Sequence, residues 1–293
     1  MVIVTYNSEA EISDCLEAVQ LTGAPVVVVD NHSQDGTCAK IYQRGVRLIA
    51  NSENRGFAAA VNQGVRALDT PYILLLNPDT LFQSGLDALT ECCRRDRVAA
   101  ACGKLIDAAG RPQVGFAVRS LPSPAALICE ALLINRLWPR NPVNWHYRCF
   151  DFDYSVEHQV EQPAAAFLMI RRDVWQELGG FDEKFYPLWF EDVDFCRRVK
   201  DKGYCILYTP LAVVKHTGGH SLAKISLENR QLYWYGSVLR FAAKHYGSGT
   251  VKMVCLAVGL GLTLRMLGGG LPIAVYGKAM ALAGRNLFRP AVK

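Results

Sequence analysis

Three short polar clusters, each placed directly after an apolar run, carry the side chains of this chain that are best suited to chemistry. They are Thr-Tyr-Asn at 5–7, Asp-Asn-His-Ser-Gln-Asp-Gly at 30–36 and Asn-Pro-Asp at 77–79. A single aspartate in such a place is commonly a turn residue or a helix cap. Three such clusters together favour a ligand site. Their side-chain oxygens are suitable ligands for Mg²⁺ or Mn²⁺, and such an ion bridges to a diphosphate.

The elements that must position these clusters are predicted from the surrounding apolar patterns. Buried parallel strands are predicted at Val2–Thr5, Val26–Val29, Val46–Ile49, Tyr72–Leu76 and Val98–Cys102. Helical spacing separates them at Glu9–Gln20, Phe57–Leu68 and Gly85–Arg94. This β-α-β alternation predicts an open, doubly wound α/β sheet that is mostly parallel. Because such sheets bind ligands at the carboxyl ends of their strands, the clusters are expected to meet at one edge.

The common glycine-rich phosphate loops are missing from the sequence. No GxGxxG follows the first predicted strand, and the chain contains no GxxxxGK[ST]. A phosphorylated ligand must therefore be neutralised in another way, and a carboxylate-held divalent ion is what the polar clusters offer.

The chain beyond residue 107 gives less regular signals. Five prolines and many aromatic residues at 108–160 predict a long irregular insertion that forms part of a binding surface. Further strands are predicted at Gln162–Ile170, Tyr204–Tyr208 and Ala212–Lys215, and helices at Arg172–Leu178 and Glu191–Lys202.

Charge is unevenly distributed along the chain. Residues 1–195 carry 17 basic and 25 acidic side chains, whereas residues 196–293 carry 15 basic and only two acidic ones. A basic, apolar tail after an acidic body indicates a negatively charged partner surface, either nucleic acid or membrane. Nucleic acid is disfavoured, because the basic residues are spread among long apolar runs. The 51% hydrophobic content excludes an intrinsically disordered chain.

The apolar tail after about Ser248 contains two uncharged segments, 253–264 and 266–277. Each is too short to span a bilayer, which needs ~20 apolar residues. On a helix begun at Pro272, the basic residues Lys278, Arg285 and Arg289 fall in one sector, which suits a helix lying on anionic lipid. The alternative is a helical pair that packs on the domain or forms a homo-oligomer.

The ten cysteines contain no CxxC pair, and several lie in apolar runs where a small buried thiol is usual. The N-terminus lacks the basic-then-apolar layout of a signal peptide. These features predict a cytoplasmic protein.

Eight motifs in order resemble the signature of family 2 glycosyltransferases, above all the rhamnosyltransferase-like branch that builds cell-surface polysaccharides. The first four are VTYNS at 4–8, VDNHSQDGT at 29–37, NRGFA with NQG at 54–64 and LLNPD at 75–79. The others are GGFDE at 179–183, EDVDFCRR at 191–198, GY at 203–204 and HTGGHS at 216–221. The resemblance implies the GT-A fold, with a Rossmann-like nucleotide-binding half, an acceptor half and a nucleoside-diphosphate-sugar donor.

The resemblance also implies the donor-binding residues. Asp30 stands where relatives contact the nucleobase, with Thr5 and Asn7 beside it. Other residues of the matching motifs assigned to the donor are Asn31, Asp35, Asn62 and Asn77. Separately, Arg55 and Gly56 precede a predicted helix, a place that suits a diphosphate, although a surface arginine before a helix cap explains them equally well.

Metal binding is implied at the place of the family's DxD motif. Asp79 is the expected ligand of Mg²⁺ or Mn²⁺, while Asn77 replaces the first aspartate and offers only a neutral carbonyl. His216 matches a histidine that completes the metal site in related enzymes, and a structural role at a strand end is the alternative.

Glu191 and Asp192 match the catalytic-base motif, in which the second acid usually deprotonates the acceptor hydroxyl. The alternative is that both simply favour the positive end of a helix. For Asp192, partial burial beside aromatic residues is expected to raise its pKa toward the working range of a base.

The sequence therefore predicts an inverting, metal-dependent glycosyltransferase at the inner face of the cytoplasmic membrane. The donor is of the dTDP-rhamnose or UDP-sugar type, and the acceptor is a lipid-linked saccharide or oligosaccharide. Residues 1–248 form the catalytic domain (donor half 1–107, acceptor half 108–248), and 249–293 form a membrane-associating helical tail. A non-catalytic sugar-nucleotide-binding or saccharide-binding subunit is the alternative.

Overall fold

A computed structural model describes residues 1–218, 225–267, 277–281, 283 and 284. Its strands are β1 (Val2–Thr5), β2 (Val27–Asp30), β3 (Arg47–Ala50), β4 (Tyr72–Leu76), β5 (Thr80–Ser84), β6 (Val98–Ile106), β7 (Val118–Arg119), β8 (His158–Val160), β9 (Gln162–Pro163), β10 (Phe167–Arg171) and β11 (Cys205–His216). Its helices are α1 (Ile12–Gln20), α2 (Thr37–Gln43), α3 (Phe57–Arg66), α4 (Leu86–Arg94), α5 (Pro124–Ala131), α6 (Ile134–Leu137), α7 (Pro142–Tyr147), α8 (Arg172–Leu178), α9 (Glu191–Asp201), α10 (Leu227–His245) and α11 (Ser248–Leu267).

The main sheet in the described residues has nine strands in the order β3-β2-β1-β4-β10-β6-β11-β5, with β8 paired to β11. Strand β1 runs parallel to both β2 and β4, and β2 runs parallel to β3. Strand β10 is antiparallel to β4 and β6, so β6 and β11 again run in the direction of β1. The predicted α/β sheet, mostly parallel and with helices around it, is confirmed.

Strands β1 and β2 form because their continuous apolar runs are covered on both faces. Helix α3 lies close to them at Gly64, where an added Cβ atom would come within 2.5 Å of Val2 Cγ1. The small side chain therefore lets α3 pack on the sheet and fixes where its N-terminus meets the strand ends.

Four predicted strands differ in the structure. Strand β3 was expected to be buried but is half-exposed, because it is an edge strand with a neighbour on one side only. The predicted strand Gln162–Ile170 is divided between β9 and β10, which belong to different sheets. The predicted strands Tyr204–Tyr208 and Ala212–Lys215 are one strand, β11, whose register shifts between Tyr208 and Val213.

The insertion at 108–160 was expected to be irregular, but three short helices occupy much of it. Two of them begin with a proline after a capping side chain: Ser123 Oγ accepts from Ala126 N at 3.2 Å, and Asn141 Oδ1 accepts from Asn144 N at 2.9 Å. Proline is well suited to the first helical position, since its missing N–H costs nothing there. The prolines therefore start helices here.

A second apolar core joins α10 and α11 to the insertion. Helices α5 and α11 cross so closely that a Cβ added at Gly261 would lie 1.9 Å from the Ala131 carbonyl oxygen. Arg265 donates a 3.0 Å hydrogen bond to that same carbonyl. One face of α11, residues 248–267 of the predicted tail, is thus packed against the rest of the protein.

The sequence indicated a short apolar segment between two charges, but the structure has one continuous helix, α11, in this place. It has 20 residues, and an 18-residue stretch of it has a mean hydropathy of 1.6, so it is long and apolar enough to cross a membrane by those criteria alone. A third of the apolar stretch is buried inside the protein. The predicted second tail helix begun at Pro272, with Arg285 and Arg289, lies largely outside the described residues.

Candidate active site

A cleft of ≈ 1090 Å³ opens where β1, β2 and β4 end. Residues of all three polar clusters line it, namely Thr5, Tyr6, Asn31, Asn77, Pro78 and Asp79. The opposite walls come from the insertion, from the segment 186–193 and from α10. The structure therefore brings the ends of three separate strands and three later segments around one space.

Asp79 and His216 approach each other inside this cleft. His216 Nε2 lies 3.4 Å from Asp79 Oδ1, and both side chains are largely buried. Asp79 ends the turn between β4 and β5, and His216 ends β11, which pairs with β5 at Thr80. The Asp79 backbone carbonyl also accepts hydrogen bonds from both Thr217 N and Thr217 Oγ1 at 3.1 Å. Strand pairing thus fixes the distance between the two side chains.

Gln113 determines which nitrogen of His216 faces Asp79. Its Nε2 group donates to the His216 carbonyl at 2.8 Å, so its Oε1 atom is the one at 2.9 Å from His216 Nδ1. An amide oxygen only accepts, and Nδ1 must therefore carry the proton. In the neutral ring, the lone pair of Nε2 then points at the Asp79 carboxylate.

Two electron-rich atoms that face each other in a largely buried place need a proton or a cation between them. A divalent ion fits this arrangement, because a carboxylate oxygen and an imidazole nitrogen are both common ligands, and Asn77 adds an amide in the same cleft. No group of three His, Cys, Asp or Glu side chains in the described part of the chain could hold a metal. Mg²⁺ sites that use one or two carboxylates and substrate phosphates have this character.

Asp192 lies in another part of the same cleft, in the first turn of α9. Its Oδ2 atom is 3.3 Å from Ala165 N and 3.5 Å from Gln162 Nε2, and Oδ1 accepts from Val193 N at 2.8 Å. Burial raises the pKa of Asp192, while the positive charge of Arg119 and these backbone N–H groups oppose the rise. The carboxylate is half-buried yet able to reach a ligand, which suits a general base.

Glu191 is more deeply buried than its neighbour. It is only 6% exposed, and its Oε2 atom has no hydrogen-bond partner. Burial, together with the nearby charges of Asp192 and Asp194, raises the pKa of Glu191 well above its usual value. Glu191 therefore holds its proton more tightly than a solvated glutamate, and Asp192 is the better candidate for the base.

The chain that leads into α9 turns sharply to place these acids. Trp189 and Phe190 both have positive φ angles, 74° and 70°, which are uncommon for bulky residues. Phe190 packs in the second core against Phe241, and Trp189 lines the cleft. Core packing thus holds a strained turn, and this turn exposes Asp192 to the cleft.

Asp194 anchors the same helix from its other face. It is fully buried and forms ion pairs with Arg198 at 2.8 Å, Lys244 at 2.7 Å and His245 at 2.8 Å. Arg198 also donates to the carbonyls of the 178–180 turn. The contacts of Asp194 with Lys244 and His245 join α9 to the end of α10.

The predicted nucleobase ligand Asp30 is only 1% exposed, and its carboxylate already accepts three hydrogen bonds. They come from Thr5 Oγ1 at 2.8 Å and from the backbone and hydroxyl of Ser33. Thr5 and Asn31 line the cleft, whereas Asp30 does not. Asp30 therefore holds the end of β1 and the following loop in place.

Asn7 and Asp35 also lie outside the residues that line the cleft. Asn7 Oδ1 accepts from Gln34 N at 2.7 Å, and Asp35 Oδ1 accepts from Thr37 N at 3.1 Å at the start of α2. Both stabilise the loop after β2 instead of reaching into the cleft.

Arg55, Gly56 and Asn62 are likewise away from the cleft lining. Arg55 has an exposed side chain, and an added Cβ at Gly56 would lie 2.8 Å from the ring of Tyr186. The N–H after Gly56, on Phe57, donates to Pro187 O at 2.8 Å, so the helix N-terminus is partly capped by protein. Asn62 instead bonds both the N–H and the carbonyl of Phe181.

Five cleft-lining residues of the insertion were not singled out from sequence: Gln113, Phe116, Arg119, Tyr147 and Arg148. Phe116 stacks on the His216 ring with the centroids 5.3 Å apart. No local pattern marks these residues, and only the general expectation of a binding surface at 108–160 pointed to them. Residues 219–221 of the last motif lie outside the described residues.

Solved structures with this fold are GT-A glycosyltransferases. A mannosyltransferase from Pyrobaculum calidifontis, solved with GDP-Man and Mn²⁺, has a TM-score of 0.54 at 15% identity, covering 98% of this chain and 86% of its own. A glucosyl-3-phosphoglycerate synthase from Mycobacterium tuberculosis, solved with Mn²⁺, UDP and phosphoglyceric acid, has a TM-score of 0.53 at 13% identity, covering 84% and 78%. The chain thus has the GT-A fold.

Sequence comparison gives the family. The model for glycosyl transferase family 2 matches residues 1–120. An N-acetylglucosaminyl-diphospho-decaprenol L-rhamnosyltransferase of Mycobacterium tuberculosis is 31% identical over 265 residues, which cover 84% of this chain and 85% of the relative. The chain belongs to glycosyltransferase family 2, and the resemblance to rhamnosyltransferase-like members is confirmed.

Proposed function

We propose that this glycosyltransferase is inverting and metal-dependent. It moves a sugar from a nucleoside-diphosphate sugar, of the dTDP-rhamnose or UDP-sugar type, to a hydroxyl of a lipid-linked saccharide in cell-surface polysaccharide synthesis. One observation carries the proposal: a single cleft holds both the Asp79–His216 pair and the half-buried carboxylate of Asp192.

The donor occupies the strand-end part of the cleft, within residues 1–107. Thr5, Asn31 and Asn77 line this part and offer hydroxyl and amide groups for the nucleoside and sugar. Asn31 also accepts from Arg55 N at 3.0 Å, which fixes the neighbouring loop. The mycobacterial relative's name specifies an L-rhamnosyl group, which supports a rhamnose-type donor.

Asp79 and His216 would hold Mg²⁺ or Mn²⁺ against the donor diphosphate. Such an ion, when bound, supplies positive charge that stabilises the leaving nucleoside diphosphate. Gln113 keeps His216 in the tautomer that exposes Nε2, so the chain orients this ligand before any ion arrives.

Asp192 acts on the acceptor, which enters from the side formed by residues 108–248. Its carboxylate takes the proton of one acceptor hydroxyl, and that oxygen attacks the anomeric carbon from the face opposite the leaving group. The new C–O bond forms as the bond to the diphosphate breaks, so the configuration inverts. Glu191, whose burial disfavours the charged form, stays outside this transfer. Positioning and proton removal by the chain are the sources of the acceleration.

The membrane side of the protein is the exposed face of α11. Five apolar side chains there recur every three or four residues and are 46–78% exposed: Met253, Leu256, Leu260, Leu264 and Leu267. No acidic residue follows Glu228 in the sequence, so nothing on or after this helix repels anionic lipid. Leu137 and Trp138, also exposed, follow α5, which crosses α11. This surface supports a position of the enzyme at the cytoplasmic leaflet, beside its lipid-linked acceptor.

The direct test is transfer by the full chain. Nucleotide sugars are offered with Mn²⁺ or Mg²⁺ and a short-chain prenyl-diphospho-N-acetylglucosamine acceptor, and the product is identified by mass and anomeric configuration. We expect one sugar to be transferred with inversion, and no transfer after chelation with EDTA. Tight binding of a nucleotide sugar without transfer or hydrolysis would favour the non-catalytic binding subunit.

A further inference from the structure

Two arginines of the insertion line the cleft and form no salt bridge with a carboxylate among the described residues, although the charge of Arg119 acts on the nearby Asp192. Arg119 lies on β7, and its Nε atom is buried with no hydrogen-bond partner. Arg148 follows α7 and makes one hydrogen bond, from Nη1 to Gly115 O at 3.1 Å. Both guanidinium groups are close to the Gly115–Phe116 turn, because the Arg119 Cζ atom is 5.9 Å from the Phe116 ring centroid.

A guanidinium group carries five N–H donors and is always charged. Burying these N–H donors away from water without a hydrogen-bond acceptor costs free energy. A cleft that buries them is therefore suited to a ligand that supplies the acceptors. Phosphate oxygens match the planar fork of arginine in a bidentate manner. The chemistry therefore indicates a phosphate-containing ligand at Arg119 and Arg148.

The position of Arg119 connects this ligand with the acceptor. Arg119 pairs with Gln162 across β7 and β9, and Gln162 Nε2 lies 3.5 Å from the Asp192 carboxylate. The strand-end residues that are proposed to bind the nucleoside belong to the donor half of the chain, whereas Arg119 belongs to the acceptor half. Ala126 and Leu127 of α5 also line the cleft, and α5 packs on α11, whose outer face carries the leucines. The base, the arginines and the apolar helices are the groups that a sugar, a diphosphate and a lipid need.

We infer that Arg119 and Arg148 form a second diphosphate subsite, which binds the diphosphate that links the acceptor saccharide to its lipid. The inference rests on the proposed function and makes it more specific: the enzyme recognises the acceptor by its diphosphate as well as by its sugar. The donor diphosphate remains at Asp79 and His216.

The test compares two acceptors that carry the same sugar, one as a prenyl diphosphate and the other as a neutral alkyl glycoside. In the wild-type chain we expect a lower KM for the diphosphate acceptor. Arg119→Gln should raise that KM roughly ten- to hundredfold, as for loss of hydrogen bonds to a charged group. The KM values for the neutral acceptor and for the donor should stay unchanged. Arg148→Gln should act in the same direction, and Arg111→Gln, an exposed arginine of the same insertion, should not.

Each other outcome overturns the inference. If Arg119→Gln raises the donor KM with either acceptor, the arginine serves the donor diphosphate. If it only moves the pH dependence of kcat, equally for both acceptors, Arg119 is a counter-ion of Asp192. If wild-type enzyme transfers sugar to both acceptors with the same KM, there is no second diphosphate subsite. Absence of any transfer by the wild-type chain is a different result, and it refutes the proposed function itself.

A binding measurement gives an independent readout without turnover. Farnesyl diphosphate is titrated into the full chain in EDTA, and the melting temperature is followed. We expect a concentration-dependent increase that Arg119→Gln abolishes and Asp79→Ala leaves intact. An equal increase in Arg119→Gln, or none in the wild-type chain, contradicts the inference.

Discussion

His216 Nε2 and Asp79 Oδ1 lie 3.4 Å apart, with the lone pair of the neutral imidazole directed at the carboxylate. The relationship depends on the pairing of β5 with β11, which brings Asp79 beside the end of β11. It also depends on Gln113, whose amide is held by the backbone carbonyl of His216 itself. Three distant parts of the sequence therefore produce one candidate cation site.

Removal of the Asp79 carboxylate should abolish metal-dependent donor binding and leave the fold intact. The side chain lies at the wall of a cleft, so Asp79→Ala removes little core packing. The measurement is the rise in melting temperature caused by nucleoside diphosphate and Mn²⁺, with and without EDTA. Asp87→Ala, an exposed aspartate at the start of α4, is the control and should behave as wild type. An EDTA-insensitive rise in wild type would contradict the metal assignment.

Gln113→Leu should weaken Mn²⁺ binding about ten- to hundredfold, because the His216 ring loses the acceptor that fixes its tautomer. Leucine is similar in volume to glutamine, so the packing around Phe116 is little changed. Isothermal titration with Mn²⁺ and nucleoside diphosphate measures the effect. Gln83→Leu, on the exposed end of β5, is the matched control. Equal affinities for the two variants would show that the tautomer does not matter.

Asp192→Asn should lower sugar transfer by about 10²–10⁴-fold, as expected when a general base is lost. Donor and metal affinities should remain close to wild type, since Asp192 is apart from the Asp79–His216 pair. Glu191→Gln should be milder, because burial raises the pKa of Glu191 well above its usual value and so disfavours the charge that glutamine lacks. A larger loss for Glu191→Gln would assign the base to the other carboxylate. Wild-type rates in both variants would mean that the two acids act only as residues at the start of a helix.

The pH dependence of transfer should follow Asp192 as well. Burial raises the pKa of this carboxyl, so its base form is lost as the pH falls through a value above the ~3.9 of a solvated aspartate. The acid limb of kcat is the quantity to measure, at saturating donor and acceptor. A limb at or below the solvated value would argue against Asp192 as the base.

Asp194→Asn should destabilise the protein by ~3–5 kcal/mol at neutral pH, the range for breaking a buried ion pair. Burial opposes ionisation of Asp194, but the His245 hydrogen bond and the charges of Arg198 and Lys244 outweigh it and lower its pKa. A carboxyl with a lowered pKa stabilises the fold above its unfolded pKa and loses that contribution as pH falls through the folded value.

Urea unfolding at several pH values tests this prediction, and Asp194→Asn should flatten the acid side of the profile. Asp201→Asn is the matched control on the same helix, because Asp201 also pairs with an arginine four residues away but is exposed. Its effect should stay below ~1 kcal/mol. Similar losses for the two variants would contradict the role assigned to Asp194.

The double substitution Leu256→Gln and Leu260→Gln should reduce flotation with anionic liposomes at least tenfold. Both side chains are more than half exposed on α11, so the change removes apolar surface available to lipid without disturbing the core. Leu21→Gln, exposed on another face of the protein, is the control. Deleting 250–293 would be a poorer test, because the inner face of α11 belongs to the second core. Unchanged flotation, or loss of a homodimer instead, would contradict the membrane surface.

The sequence by itself determined the parts of this protein that depend on local pattern. Apolar runs of strand length followed by polar residues were enough for the positions of β1, β2 and β4 and for the sheet edge at which the cleft opens. The motifs in their order were enough for the family. Asp79, His216 and Asp192 were identified because motif residues keep their order along the chain.

Tertiary structure decided what depends on distant contacts. Whether Asp30 reaches a ligand depends on Thr5 and Ser33, which take up its hydrogen-bonding capacity, and no pattern around Asp30 reveals that. Gln113 and Arg119 became part of the site only because the insertion folds over the strand ends. The strongly apolar tail helix is similar: its composition suits lipid on every side, but the close contact of Gly261 with Ala131 selects which face the protein covers and which it leaves exposed.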